Sequence, residues 1–245
     1  MLIYFLLGIL QGIFEWIPIS SEGIVALTSR FFIKEFNAIE VALFLHLGTL
    51  AAVLIYFWKD WREILAFRNP KLFRFLIIST IVSLIIGLPI YEMVKNMAIG
   101  NSLLIVMGFG LLLSAYFQKK KMTLEINFDQ LAIIVGFLQG LAVIPGLSRS
   151  GSTIFGLSLA KIKPAEILKI SYLMSVPVIL ASSIYLFLEN PSLGFQAWPA
   201  LLSSFLVGIL TLDFLLRLSQ KISFFNFAII FALLCFLGAG IGFLI

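Results

Sequence analysis

Apolar runs of about twenty residues recur along the whole chain, and few folds are compatible with that. Roughly twenty apolar residues in a helix cross the hydrocarbon layer of a membrane. Six runs have this length: about 38–58, 72–91, 97–117, 167–188, 198–218 and 224–245. Of the 245 residues, 61% are hydrophobic and 12% charged, so a soluble domain of this size could not hide its apolar surface. The polar stretches are only connector-sized. The chain therefore reads as an all-α polytopic membrane protein forming one integral membrane domain over 1–245.

Two regions break the pattern. In 1–34, Glu15, Pro18, Ser20, Ser21, Glu22 and Gly23 interrupt the apolar run. In 131–160 the interruption is Pro145-Gly-Leu-Ser-Arg-Ser-Gly-Ser-Thr153. Each reads as two short helices joined by a polar turn. Basic residues favour the cytoplasmic side, so the loop 59–74, with Lys59, Arg62, Arg68, Lys71 and Arg74, belongs there. The same rule places Lys119–Lys121, Lys161, Lys163, Lys169, Arg217 and Lys221 inside. The chain then enters and leaves 131–160 on the inside, so that region is a re-entrant hairpin. The hairpin at 1–34 opens to the outside, and both termini lie outside.

The two halves, about 1–121 and 122–245, thus have the same element order in opposite orientations, an inverted-topology repeat. Gly8-Ile-Leu-Gln11-Gly12 parallels Gly136-Phe-Leu-Gln139-Gly140, and Ile17-Pro18 with Ser21 parallels Ile144-Pro145 with Ser148. The expected architecture is six transmembrane helices plus two re-entrant helical hairpins. Irregular backbone at membrane depth is tolerated where it is buried in protein or lines a cavity, so the two tips should meet there.

Several function classes fall away. The formal net charge of +5 comes from lysines and arginines in short loops, where they set orientation, so nucleic acid is not an expected partner. Cys235 is the single cysteine, which excludes an intramolecular disulfide and a cysteine-based metal site. The apolar start, Met1-Leu-Ile-Tyr-Phe-Leu-Leu, has no basic segment before it and reads as mature protein, not a cleaved leader.

The second motif places one arginine, four hydroxyl side chains and two glycines in nine residues of otherwise apolar sequence. A charge at membrane depth is costly and marks a functional site by default. Gly146 and Gly151 allow close approach of backbone to a ligand. Ser148, Ser150, Ser152 and Thr153 supply hydroxyls, and a helix starting near Ser150 would aim its N–H groups at the same spot. Arg149 offers a planar fork that suits phosphate. The competing reading is a capped helix start with Arg149 snorkelling to the surface, which leaves the glycines and hydroxyl density unexplained.

In the first motif Gln11 and Glu15 are four apart and share a helix face. Glu15 lies between Phe14 and Trp16, and a buried carboxylate needs a metal, a proton or an arginine. Arg149 is the expected partner, directly or across a phosphate. Ser21 is a candidate nucleophile if a base adjoins it; helix capping is the alternative for Ser20 and Ser21. Glu22 is either an accessory group or a solvated hairpin tip. His46, the single histidine, is either packed by a hydrogen bond or a proton carrier. Asp213 and Arg217 are expected to form an ion pair, and Trp58 and Trp61 an interfacial belt.

The pairing of Gln11-Gly-X-X-Glu15-X-X-Pro18-X-Ser20-Ser21-X-Gly23 with Pro145-Gly-X-Ser148-Arg149-Ser150-Gly-X-Thr153 resembles the undecaprenyl-diphosphate phosphatase family, also called bacitracin-resistance proteins. The second motif matches closely and the first in part; Leu45-His-Leu-Gly-Thr49 and the span ending Phe57-Trp58 extend the likeness over most of the chain. The resemblance implies a plasma-membrane enzyme that hydrolyses the terminal phosphate of a polyprenyl diphosphate, regenerating the monophosphate carrier for cell-wall glycans. It implies Glu15, Ser21 and Arg149 as catalytic, and Ser20, Ser148, Ser150 and Thr153 as phosphate-binding. It also implies a divalent cation, Mg2+ or Ca2+, at Glu15 with Gln11. Gln11 stands where an acidic residue is frequent, and Ile24 stands where a histidine is common. The expected partners are the lipid substrate, the bilayer and a second copy in a homodimer. A flippase or transporter of a lipid phosphate is the alternative; it needs Arg149 but no acid–base pair beside a nucleophile.

Overall fold

The computed structural model describes residues 2–17, 21–32, 38–94, 105, 108, 109, 111, 112, 116, 125–144, 147–189 and 198–244. The helices given there are α1 (Leu2–Phe14), α2 (Ser21–Phe32), α3 (Ala38–Tyr56), α4 (Trp58–Leu65), α5 (Pro70–Val94), α6 (Phe128–Leu141), α7 (Arg149–Ser158), α8 (Pro164–Glu189), α9 (Trp198–Lys221) and α10 (Phe224–Leu244). No strand occurs among the described residues. Stretches of α5, α8 and α9 are each long and apolar enough to cross a membrane, and α3 with α4 adds a fourth if counted as one bent span. Leu2–Phe14, Phe128–Leu141 and Phe225–Ile241 are apolar but shorter. Most of the span expected over 97–117 lies outside the described residues.

One expectation is corrected. The run 38–58 does not continue straight into a loop over 59–74: the helix breaks at Phe57, and its axis turns by 79° into α4. Lys59, Asp60, Arg62 and Glu63 cannot follow α3 through hydrocarbon without a large desolvation cost. The turn instead lays α4 across the end of the bundle. Phe57 and Ile64 are buried there, and Asp60 meets Lys169 of α8 at 2.5 Å.

Small residues let the two short helices pack closely on longer ones, as membrane helices require when hydrophobic driving force is absent. Helix α1 runs parallel to α9: Ser203 Oγ donates to Phe5 O at 3.0 Å, and Thr211 Oγ1 to Gly12 O at 2.6 Å. A Cβ on Gly12 would lie 2.7 Å from Gly208 N, and one on Gly8 would collide with Ser203 and Ala200. Helix α6 runs parallel to α5: Arg74 pairs with Asp129 at 2.7 Å, and Ser83 Oγ lies 2.9 Å from Gly136 O. A Cβ on Gly136 would lie 2.6 Å from Ser79 O, and one on Gly140 2.8 Å from Ile86 Cβ.

These contacts fix the direction of each hairpin. At one end of the bundle, which is basic, lie α4, the starts of α5, α6 and α8 and the end of α9. At the far end α5 and α8 finish together, with the Tyr91 and Tyr185 rings 5.9 Å apart and Tyr185 Oη donating to Glu92 at 2.9 Å. Because α3 and α9 run parallel, with Leu45 O bonded to Ser204 and Tyr56 to Asp213, α9 begins at the far end. Helix α1 follows α9 from the far end and α6 follows α5 from the basic end. Both stop partway and turn back. Asp213 and Arg217 pair at 2.7 Å, as their spacing predicts.

These close contacts make a measurable prediction. Gly12→Val and Gly140→Val should each lower the thermal unfolding midpoint in detergent by several degrees or prevent folding, because overpacking costs typically 1–3 kcal/mol or more. Gly240→Ala, where a Cβ meets nothing within 4 Å, should not lower it.

Candidate active site

The two tips meet at Glu15. Helix α1 ends at Phe14, and Glu15 N–H still donates to Gln11 O at 3.0 Å, so Gln11 and Glu15 keep helical register. Gln11 Nε2 then donates to Glu15 Oε2 at 2.7 Å. Ser21, the first residue of α2, donates its hydroxyl to the same oxygen at 3.1 Å. Arg149, the first residue of α7, forms an ion pair with Glu15 Oε1. The carboxylate is 3% exposed, so these partners stand in for water.

His46 of α3 completes the ring of partners. Its Nδ1 donates to Ala42 O at 2.8 Å, since a carbonyl can only accept. Its Nε2 lies 3.2 Å from Glu15 Oε2. Two acceptors cannot approach so closely without a hydrogen between them. One proton is therefore held between Nε2 and Oε2, whichever atom carries it.

Ser148 caps α7, accepting from Gly151 N–H at 3.2 Å. The Ser148 and Ser150 hydroxyls are 3.0 Å apart, and Ser150 Oγ donates to Ile17 O at 2.8 Å. This ties the start of α7, with its free N–H groups and positive dipole end, to the turn after α1. The capping role and the place at the recess are thus both filled by Ser148. Thr153 is not brought to the recess: its Oγ1 lies 2.6 Å from Ser171 Oγ of α8 and 3.1 Å from Arg149 O. Four residues on from Arg149, that side chain shares its helix face but lies one turn further along, against α8. Ser20, Pro145 and Gly146 lie outside the described residues, as does the side chain of Glu22.

Trp16 and Tyr172 support the junction and were not singled out by sequence. Trp16 is fully buried, and its Nε1 donates to Gly208 O at 2.8 Å. Its ring lies 5.0 Å from that of Tyr172, whose hydroxyl is 3.4 Å from Trp16 O. A tryptophan beside a buried glutamate was a usable signal for Trp16; Tyr172 had none in its own stretch of chain.

A recess of about 30 Å³ is lined by Glu15, Ser21, His46, Ser148, Arg149 and Ser150. It adjoins a cavity of about 410 Å³ that shares His46, Ala142 and Arg149 with it. This cavity reaches the far end at Tyr91 and Tyr185, with walls that include Leu84, Leu88, Val178 and Ile179. Arg149 Nη1 is buried without a hydrogen-bond partner. A buried guanidinium nitrogen of this kind is suited to an oxyanion.

No group of three or more His, Cys, Asp or Glu side chains comes together among the described residues. The donors around Glu15 still suit a hard cation. Gln11 Oε1 is buried without a hydrogen-bond partner, and its amide touches the Glu15 carboxylate through Nε2, so an ion here would replace the donors that now fill the carboxylate. Mg2+ or Ca2+ takes oxygen ligands, and Mg2+ commonly binds through one or two protein groups plus substrate phosphates.

Removal of one charge should be costly. Arg149→Met or Glu15→Gln alone should lose about 3–5 kcal/mol of unfolding free energy, because each leaves a buried charge without its partner. The double variant should lose less than the sum by at least about 1 kcal/mol, measured by denaturant unfolding in mixed micelles.

Comparison with known proteins bears on this arrangement. A family model described as bacitracin resistance protein BacA matches residues 4–237. A Haloarcula marismortui protein named undecaprenyl-diphosphatase is 34% identical over 94% of each chain. Proteins of the same name from Thermosipho africanus and Methanothrix thermoacetophila are 36% and 34% identical, covering 95% and 91% of this chain and 98% and 91% of their own.

Proposed function

The chain belongs to the bacitracin resistance protein BacA family, and on that footing we propose that it is a membrane phosphohydrolase removing the terminal phosphate of undecaprenyl, or polyprenyl, diphosphate. One observation carries the reading. A hydroxyl–carboxylate pair and an arginine with a buried, unpartnered nitrogen stand together at the head of an apolar cavity. The first suits attack on phosphorus, the second suits a phosphate, and the cavity suits a hydrocarbon tail.

In the proposed reaction Arg149 and the start of α7 hold the terminal phosphate. Ser21 Oγ, or a water in its place, attacks phosphorus, and its proton passes to Glu15 Oε2, 3.1 Å away. The bond from phosphorus to the bridging oxygen breaks, and the lipid monophosphate leaves. As that proton reaches Oε2, His46 Nε2 gives the proton already held between it and Oε2 to the departing bridging oxygen, and the Ser21 proton takes its place. Water then hydrolyses the seryl phosphate, releasing orthophosphate and restoring the serine. A divalent cation held by Glu15 and Gln11 Oε1 would neutralise diphosphate charge when bound. Stabilisation of charge at the phosphoryl oxygens provides most of the rate.

The same reading takes the architecture as six spans with two re-entrant hairpins, the halves 1–121 and 122–245 being inverted repeats. Its support is the crosswise packing of α1 on α9 and α6 on α5. By the positive-inside rule the basic end is cytoplasmic. The cavity then opens at the outer leaflet, both termini lie outside, and the product is the carrier lipid of cell-wall glycan synthesis. Transport of a lipid phosphate would need Arg149 but not the Ser21–Glu15 contact, so hydrolysis is favoured.

Phosphate release from a polyprenyl diphosphate with Mg2+ tests the reading. The wild type should turn over. Arg149→Ala, Glu15→Gln and Ser21→Ala should each lose on the order of 10³-fold in kcat/KM, and His46→Gln about 10²-fold. No release from the wild type, or equal release from all variants, would overturn it.

A further inference from the structure

Helix α4 takes no part in the site and is too short to cross a membrane, yet its three faces are sharply different. Asp60, Trp61 and Ile64 face the bundle: Ile64 is buried and Asp60 pairs with Lys169 at 2.5 Å. Trp58 and Leu65, seven residues apart and on one side, are 61% and 67% exposed. Lys59, Arg62, Glu63 and Ala66 form the third face and, with Arg68, line a recess of about 330 Å³.

The end of α4 is built to bring Arg68 to that recess. Phe67 has φ 56°, the left-handed conformation that ordinarily falls to glycine after a helix. Phe67 N–H donates to Ile64 O at 3.1 Å and Arg68 N–H to Glu63 O at 2.9 Å, the paired bonds of a Schellman stop. A glycine would make this turn with less strain. The phenylalanine adds an apolar ring, 65% exposed and 4.7 Å from that of Phe73. The turn therefore sets an exposed aromatic group next to a basic group that returns over the helix.

This is the geometry of a helix lying in a membrane interface, with apolar side chains toward the acyl boundary and cations at phosphate depth. We infer that α4 and its capping turn form a binding site for the headgroup of an anionic phospholipid, held by Lys59, Arg62 and Arg68. Three cations against the single carboxylate of Glu63 leave the recess positive, and charge complementarity selects phosphate without a compensating cation. The site is at the opposite end of the bundle from the mouth of the substrate cavity, and it does not depend on the phosphatase reading.

Native mass spectrometry of the delipidated protein titrated with cardiolipin or phosphatidylcholine tests it. The wild type should bind cardiolipin roughly thirtyfold more tightly than phosphatidylcholine, with the preference shrinking as salt rises. Lys59→Gln/Arg62→Gln/Arg68→Gln should lose the preference while keeping the wild-type thermal unfolding midpoint in phosphatidylcholine discs, which shows that it is folded. Lys161→Gln/Lys163→Gln, basic but outside the recess, should keep the preference. No preference in the wild type, an undiminished preference in the triple variant, or equal loss in the Lys161/Lys163 pair would overturn the inference.

Discussion

A carboxylate and a guanidinium buried together in an apolar bundle are the constraint on which the rest of this structure depends. Neither Glu15 nor Arg149 is tolerable alone at that depth, so the elements that carry them must meet. Glu15 sits at the end of α1 and Arg149 at the start of α7, which puts both hairpin tips at one point. The remaining capacity of the carboxylate is filled by Gln11, Ser21 and His46. On the arginine, Nη1 is buried without a hydrogen-bond partner, and the residue lines the cavity. A pair so arranged is stable when closed and has one nitrogen ready for an anion.

Stopping two helices partway through an apolar bundle leaves backbone groups at their ends without helical partners, and the fold answers this with side chains from other elements. Ser148 and Ser150 lie within hydrogen-bond distance of Ile17 O, Tyr172 reaches Trp16 O, and Trp16 donates to Gly208 O. Glycines on α1 and α6 allow the close approach that makes such bonds possible. Structural and chemical roles therefore overlap in the same few residues: Ser148 caps α7 and lines the recess at once.

What sequence made legible follows from what is local. Arg149 and Glu15 stand out because a charge within apolar sequence has few explanations. Gln11 follows from its spacing of four to Glu15, and the glycine pairs from their recurrence in both halves. His46 was harder to weigh, because its partner lies on another helix and nothing beside it in sequence announces the contact. Ile24 offers no imidazole, and the one beside Glu15 comes from α3. The motif places Thr153 at the site, but one turn of rise along α7 carries its hydroxyl past the recess to Ser171 of α8. Helix α4 reads as a loop because its charges dominate, although Trp58, Trp61, Ile64 and Leu65 recur at helical spacing; after the 79° turn Ile64 is buried and Asp60 pairs with Lys169.

The central claim is that the turn after α1 touches the start of α7 across the two halves of the chain. It is tested most directly by cross-linking in native membranes. On a Cys235→Ser background, Ile17→Cys and Ser150→Cys are combined with a protease site between residues 121 and 122. After treatment with a short bis-maleimide and cleavage, the two halves should migrate as one species, while Ile17→Cys with Ser219→Cys should separate. Complete separation of the halves with the first pair would contradict the account.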